Sequence, residues 1–368
     1  MRPRRVLIVS HHGLPHVGGV EVLVDAEIQA LAAAGCEITH VTSDLTGNAQ
    51  SPRYPTSVRV IRVPAWHFLE GRARLAYPIF HPKLWWVLSR EIRRADIVHA
   101  HGFIFHSSVA ALLIARLQNK PTRLTDHGGV MPLKNSVLNL LMRTAARSLG
   151  RLTTRRADRL VAYNERVLSE LEYFAGRKDR SLFLPYPTNP ALFHSPSRAE
   201  RAAARAELGW TGDKPRVLFV GRMTPDKGVL LLIEAIDPKF ELVLCGPGDP
   251  DILNLPRAGV TYLPPRPQRD LVKLYHAADL LALPSIPGRE GFPLVVREAL
   301  ASGLRVVMSY EWGYEPYRRL PNLAFTDLSP PALRESLLSA LDRPYDTSPP
   351  PDDLCPTPRE WIDRLYNQ

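Results

Sequence analysis

The sequence is poor in cysteine and has no long hydrophobic run, and both shortages narrow what it can be. Three cysteines, Cys36, Cys245 and Cys355, are spread over 368 residues with no metal-ligand spacing. That pattern argues against a disulfide scaffold and against a structural zinc, and it fits a reducing compartment. No segment reaches the roughly 20 apolar residues that a membrane span needs. The longest candidate, residues 109–117, is broken by Arg116. The opening M-R-P-R-R-V-L-I-V-S has the basic start of a signal peptide, but its apolar part is short and runs into His11-His12-Gly13, so it reads as a first buried strand. Acidic residues are outnumbered, 37 against 47 lysines and arginines, which gives a formal net charge of +10. Such an excess predicts an anionic partner, a nucleotide or an anionic lipid surface. Nucleic acid is not expected: the basic residues are not interleaved with aromatics on a strand platform, and no nucleic-acid motif is present.

A globular chain of this length is too long for one ordinary core, so two domains of similar size are expected. Apolar runs at residues 6–10, 38–43, 58–63, 97–100, 123–126, 160–163 and 182–184 alternate with helical patterns such as 20–34, which Gly35 closes. A proline-rich stretch at 185–190 and a helix predicted over 198–210 follow. A second alternation then runs through 216–221, 240–246, 260–263, 280–284 and 305–309. This is the pattern of α/β structure, a parallel sheet with helices on both faces, whose ligands sit at the carboxyl ends of the strands. The expected architecture is two doubly wound, Rossmann-like domains facing each other across a cleft. The boundaries are predicted at residues 1–190 and 191–350, with a last amphipathic helix within 358–368 packing back on the first half. Polar residues gather at the predicted strand ends: His11, His12, Gly18 and Gly19, then His99 and His101, then Asp126-His127-Gly128-Gly129. One histidine alone is more often a core residue; several at one sheet edge predict a binding cleft.

The most informative stretch is 284–303, P-S-I-P-G-R-E-G-F-P-L-V-V-R-E-A-L-A-S-G. A buried strand, a loop broken by Pro287 and Gly288, and a helix whose first turn contains Pro293 together make an anion site, because first-turn amides and the helix dipole point at whatever fills the loop. Glu290 and Glu298 bracket it. Phosphate would repel these carboxylates, so their useful partners are hydroxyl groups. Phosphate flanked by hydroxyls describes a nucleoside diphosphate sugar. The plain alternative is a loop charge and a solvated helix residue. Upstream, V-G-R-M-T-P-D-K-G places Arg222 and Lys227 five residues apart after a strand, a spacing suited to a diphosphate, with salt bridges to Asp226 or Glu234 as the structural alternative.

Taken in order, Gly18-Gly19, His99-Ala100-His101-Gly102, Asp126-His127-Gly128, Gly221-Arg222 to Lys227-Gly228, Cys245-Gly246-Pro247-Gly248 and Glu290-Gly291-Phe292-Pro293 to Glu298-Ala299 resemble glycosyltransferase family 4, retaining enzymes of the GT-B fold. The resemblance covers roughly residues 5–310. It implies transfer of a sugar from a nucleoside diphosphate sugar to a glycan or lipid-linked acceptor. It implies Arg222 and Lys227 on the diphosphate, Glu298 on the ribose, and Glu290 on the transferred sugar with amides of Gly291, Phe292 and Leu294. Gly18 and Gly19 would admit the distal phosphate, and His127 would lie near the reacting sugar. No cofactor or metal is expected: Asp249-Pro250-Asp251 has the D-x-D form of a metal motif but reads as a polar loop. The chain departs from the family at 185–189, at Asn164, and at Tyr310-Glu311-Trp312-Gly313-Tyr314-Glu315, which leaves base and sugar preference open.

Arg143, Arg147, Arg151 and Arg155 recur every fourth residue behind Val137, Leu138, Leu140, Leu141 and Met142. A helix of this kind either lies on anionic lipid or packs on its leucines with a solvated arginine edge. The first reading predicts a cytoplasmic enzyme, peripheral on the inner face of the membrane. Two other functions fit the same features, a nucleotide-sugar epimerase or hydrolase of the same fold and a non-catalytic sugar-nucleotide-binding protein.

Overall fold

The structure is a computed structural model that describes residues 4–16, 18–44, 53–68, 77–130, 136–248, 257–288, 290–344, 350–351 and 353–367. The chain divides into two compact units, Met1–Tyr186 with Pro358–Gln368, and Pro187–Thr357.

The first unit contains β1 (Arg5–Val9), β2 (Glu37–Ser43), β3 (Val58–Val63), β4 (Ala65–Trp66), β5 (Ile79–Phe80), β6 (Ile97–His101), β7 (Thr122–Thr125), β8 (Arg159–Ala162) and β9 (Ser181–Phe183). Seven of these form one sheet in the order β3-β2-β1-β6-β7-β8-β9, every neighbouring pair parallel, while β4 and β5 make a small antiparallel pair. β1, β6 and β7 are almost wholly buried because helices cover both faces, so their sequences read as continuous apolar runs rather than alternations. The helix Pro358–Tyr366 belongs to this unit. Trp361, Ile362, Leu365 and Tyr366 are buried, and Trp361 stacks on Tyr186 with ring centres 5.6 Å apart. Burying four such side chains contributes on the order of several kcal/mol, which explains why a nine-residue helix holds its place.

The second unit contains β10 (Arg216–Val220), β11 (Glu241–Cys245), β12 (Val260–Leu263), β13 (Leu280–Leu283), β14 (Arg305–Ser309) and β15 (Leu323–Thr326), in the order β12-β11-β10-β13-β14-β15, all parallel. Every strand expected from the sequence is present with its ends within one residue. β4, β5 and β15 were not expected. The helix predicted over 198–210 stops at Glu207, because Gly209 adopts a left-handed φ of +66° and turns the chain out.

Both large sheets run outward in two directions from a central pair, β1/β6 in the first unit and β10/β13 in the second. At such a pair the following connections leave on opposite faces and open a crevice beyond the carboxyl ends. The connections after β10 and β13 carry Arg222, Lys227 and Glu290; those after β1 and β6 carry the histidine-rich segments.

Candidate functional site

In the second unit the loop after β10 is threaded between its neighbours. Gly221 N–H donates to the Cys245 carbonyl at 3.0 Å and Met223 N–H to the Pro247 carbonyl at 2.7 Å, while Ile286 N–H donates to the Asp226 carbonyl at 2.9 Å. Gly228 sits at φ +71°, and a Cβ there would lie 1.9 Å from the Pro284 carbonyl oxygen; at Gly246, φ +145°, it would lie 2.0 Å from that of Gly221. Only glycine allows three connections to approach this closely.

The close approach brings Lys227 to Glu290. Nζ lies 2.5 Å from Oε1, with the side chains 18% and 14% exposed. Its ion pair is with Glu290 rather than with Asp226 or Glu234, the structural alternatives, although the charges of Arg222 and Lys227 both act on Asp226. Arg222 is exposed on the same loop. Glu290 leads into the helix Leu294–Ala301, where Pro293 occupies the N-cap rather than the first turn and supplies no side-chain cap. The first-turn amides of such a helix have no partner within it. Phe292 is buried and stacks on Tyr317, ring centres 3.7 Å apart and planes 9° apart, with the edge of Tyr314 at 5.3 Å.

Glu298 is not a solvated helix residue. It is buried, and it accepts hydrogen bonds from Gln268 Nε2 at 2.6 Å and Tyr275 Oη at 2.7 Å. Those donors stand seven residues apart on the helix Gln268–Ala277, hence on one face. Burial pushes the Glu298 carboxyl up to about 7, against the pull of its two donors. The group therefore changes charge near neutrality, and a carboxylate keeps lone pairs for further hydroxyls.

In the first unit, Gly18 is the N-cap of the helix Gly19–Ala33, and a Cβ on Gly18 would press on the Glu21 carboxylate, whereas one on Gly19 would meet nothing within 4 Å. His127 follows β7 and is buried. Its Nε2 lies 3.1 Å from His101 Nδ1, its Nδ1 lies 3.0 Å from Tyr186 Oη, and its carbonyl accepts from Tyr163 Oη at 2.8 Å. Burial, then the neighbouring histidines, hold its imidazole well below the ordinary histidine range, so it is neutral. Glu27, His99 and His101 form the one group with a metal-type donor set among the described residues. Asp249 and Asp251 lie outside the described residues.

Residues 17–185 match the family model Glycosyltransferase Family 4, and residues 200–317 match Glycosyl transferases group 1. A D-inositol 3-phosphate glycosyltransferase of Nocardia farcinica is 30% identical over 342 residues, 83% of this chain and 74% of the relative. The chain belongs to the family 4 glycosyltransferases. The enzyme of the same description from Xylanimonas cellulosilytica is 30% identical over 83% of this chain and 80% of its own. Among solved structures, sucrose-phosphate synthase of Thermosynechococcus elongatus superposes with a TM-score of 0.70 at 22% identity, covering 99% of this chain and 95% of that one. The Anabaena protein HepE in complex with UDP and glucose gives 0.69 at 18% identity, over 98% and 95%. The two Rossmann-like units are thus those of the GT-B fold, and the protein is a transferase.

Three residues that brace this candidate site are not among the site residues expected from the sequence. Gln268 and Tyr275 enclose Glu298, and Glu311, buried beyond β14, accepts the Gly288 N–H at 2.6 Å and pins the 284–288 loop. Glu311 was legible in part: it stands at the carboxyl edge of a strand, inside the stretch that departs from the family pattern.

Proposed function

We propose that the protein transfers a sugar from a nucleoside diphosphate sugar to an acceptor hydroxyl with retention of configuration. The observation that carries this reading is the Lys227–Glu290 contact at 2.5 Å at the opening of the Leu294–Ala301 helix. A cation and a carboxylate that neutralise each other in the free protein are the two groups a sugar diphosphate would separate, Lys227 turning to phosphate and Glu290 to the sugar hydroxyls. Arg222 adds a second cation to the diphosphate, and the amides of Gly291, Phe292 and Leu294 add fixed dipoles. Glu298 takes the ribose hydroxyls. Gly18, Gly19 and His127 are assigned, on the family resemblance, to the distal phosphate and the reacting sugar.

In this scheme the bond from the anomeric carbon to the phosphate oxygen breaks as the acceptor oxygen bonds on the same face, and the acceptor proton passes to the departing phosphate. The charge developing there is met by Arg222, Lys227 and amides, so no metal or cofactor is assigned. The second unit binds the donor and the first the acceptor.

The acceptor is a glycan or lipid-linked precursor, reached from the cytoplasmic face of a membrane through Arg143, Arg147, Arg151 and Arg155. All four arginines are exposed, and Leu140 is 64% exposed beside them. The side chains of Val137, Leu138 and Leu141 lie outside the described residues. Among the described residues no helix is long and apolar enough to cross a membrane. A second acceptor class, a small phosphorylated polyol, is supported by the relatives at 30% identity, which are D-inositol 3-phosphate glycosyltransferases.

Thermal-shift titration with a panel of nucleoside diphosphate sugars tests the donor class. Saturation at 100 times Kd stabilises by about 2.7 kcal/mol, a shift of roughly 5–10 °C for a unit of this size. UDP-glucose is the first to try, since HepE is described in complex with it. No shift with any member of the panel would remove the donor assignment.

A further inference from the structure

A buried chain of hydrogen-bonding groups runs through the first unit and ends at His127. The side chains of His99 and His101 emerge on one face of β6, two residues apart, and the helix Gly19–Ala33 lays Glu27 against them. All three are fully buried. His99 Nδ1 lies 2.6 Å from Glu27 Oε1, and the Tyr366 hydroxyl of the returning C-terminal helix donates to the same oxygen. His99 Nε2 is 2.7 Å from Thr125 Oγ1. Glu27 Oε2 faces His101 Nε2 at 3.2 Å, an electrostatic contact rather than a well-aligned hydrogen bond.

The donor set is that of a metal site, and His101 Nε2 and Glu27 Oε2 stand at ligand spacing, 3.2 Å apart, but His99 and Glu27 do not. Two ligands each 2.0–2.1 Å from a tetrahedral ion stand about 3.3 Å apart. The 2.6 Å between His99 and Glu27 has room for a proton only.

Three groups converge on the Glu27 carboxyl, His99 Nδ1 at 2.6 Å, the Tyr366 hydroxyl, and His101 Nε2 at 3.2 Å, and such a ring of donors favours its ionised form. A carboxylate accepts and cannot donate. His99 therefore donates from Nδ1, and the carboxylate oxygen 3.2 Å from His101 Nε2 favours the hydrogen of that ring on Nε2 over a lone pair there. His101 Nδ1 is then an acceptor, so His127 must donate from Nε2, and its Nδ1 accepts from Tyr186.

We propose that Glu27, acting through His101, sets the tautomer and orientation of His127. Glu27 and His101 are positioning residues. The idea rests on the reading of His127 given above, but its primary readout does not depend on turnover.

The test is a long-range proton–nitrogen correlation spectrum of the full chain labelled with ¹⁵N-histidine, with His101 and His127 assigned by single substitutions. The expected result in the wild type is hydrogen on Nε2 of both rings; hydrogen on Nδ1 of His127 would overturn the proposal without any further variant. Glu27→Gln puts an amide donor opposite His101 Nε2, so the order reverses and both rings move their hydrogen to Nδ1. Turnover should then fall about tenfold or more while donor affinity stays within about twofold. A folded Glu27→Gln protein with both tautomers unchanged would refute the relay, and Tyr366→Phe, which keeps the carboxylate, should retain both tautomers. Unchanged turnover in His127→Ala would instead overturn the role of His127 at the sugar, an outcome separate from the tautomer spectrum.

Discussion

Replacing Lys227 with alanine is the most informative single change, because its effect follows from geometry already described. In the free protein the side chain is ion-paired with Glu290 and mostly shielded from solvent. On binding, its loss removes a charge-assisted hydrogen bond to phosphate, worth about 1.5–3 kcal/mol, or roughly 10-fold to 150-fold in affinity. It also leaves Glu290 uncompensated beside the diphosphate. Two like charges about 6 Å apart at an effective dielectric near 20 repel by roughly 3 kcal/mol, so the combined loss can approach 10⁴-fold at the upper bound. The sign of the second effect is testable: Lys227→Ala with Glu290→Gln should bind nucleoside diphosphate more tightly than Lys227→Ala alone. The assay is calorimetric titration with UDP, which lacks the sugar and so isolates the phosphate contacts. Because the pair is only 18% and 14% exposed, its loss should also lower folding stability, by about 3 kcal/mol as Glu290 is left uncompensated, so affinity is read at a temperature where the variant is folded. Affinity within threefold of wild type in the single variant, or no recovery in the double one, would refute the phosphate role.

His127→Ala should lower turnover more than it lowers nucleotide affinity, read as kcat against the Kd for UDP; equal losses in both would take it out of the sugar subsite. Glu298 gives a pH dependence with a definite sign. Its carboxyl is raised in the folded protein from 4.5 to about 7, so the folded state holds the proton more tightly, and the stabilisation, roughly 3 kcal/mol, is present at low pH and lost between about pH 4.5 and 7. Ribose hydroxyls favour the ionised form, so donor affinity should fall about tenfold from pH 7.5 to 6, and Glu298→Gln should abolish that dependence; a slope that persists in the variant contradicts the ribose assignment. Converting Arg143, Arg147, Arg151 and Arg155 to glutamine should reduce sedimentation with anionic vesicles at low salt by well over tenfold, since each contributes about 1 kcal/mol. Wild-type protein that stays in the supernatant would end the membrane reading.

Where the sequence was legible, short-range chemistry was responsible. The strands of both sheets announce themselves as apolar runs bounded by glycine and proline, because parallel strands are buried on both faces. Lys227 and Glu290 were readable as one site because they follow β10 and β13, which are neighbours in any sheet wound in this order. What escaped notice depends on pairings between distant segments. The sequence marks Glu298 as a hydroxyl-binding candidate, but nothing local to it shows that Gln268 and Tyr275, 30 and 23 residues upstream, close over it. The histidine chain draws on β6, the segment beyond β7, the helix Gly19–Ala33, Tyr186 and the last helix, and nothing local to any one of these signals the others. β15 (Leu323–Thr326) was not expected; it lies beyond residue 310, where the family resemblance ends, and follows the stretch that departs from the family pattern. The helix that carries Tyr366 was expected to pack on the first unit; that its hydroxyl meets Glu27 was not.

The central claim is that this site turns over a nucleoside diphosphate sugar only when an acceptor hydroxyl is present. Nucleoside diphosphate release, followed with the donor that gives the largest thermal shift, tests it in one assay with and without acceptor. The expected result is release that depends on acceptor in the wild type and is lost in Lys227→Ala. Steady release without any acceptor would make the reaction hydrolysis, and no release with any donor and acceptor pair would leave binding alone; either would contradict the account.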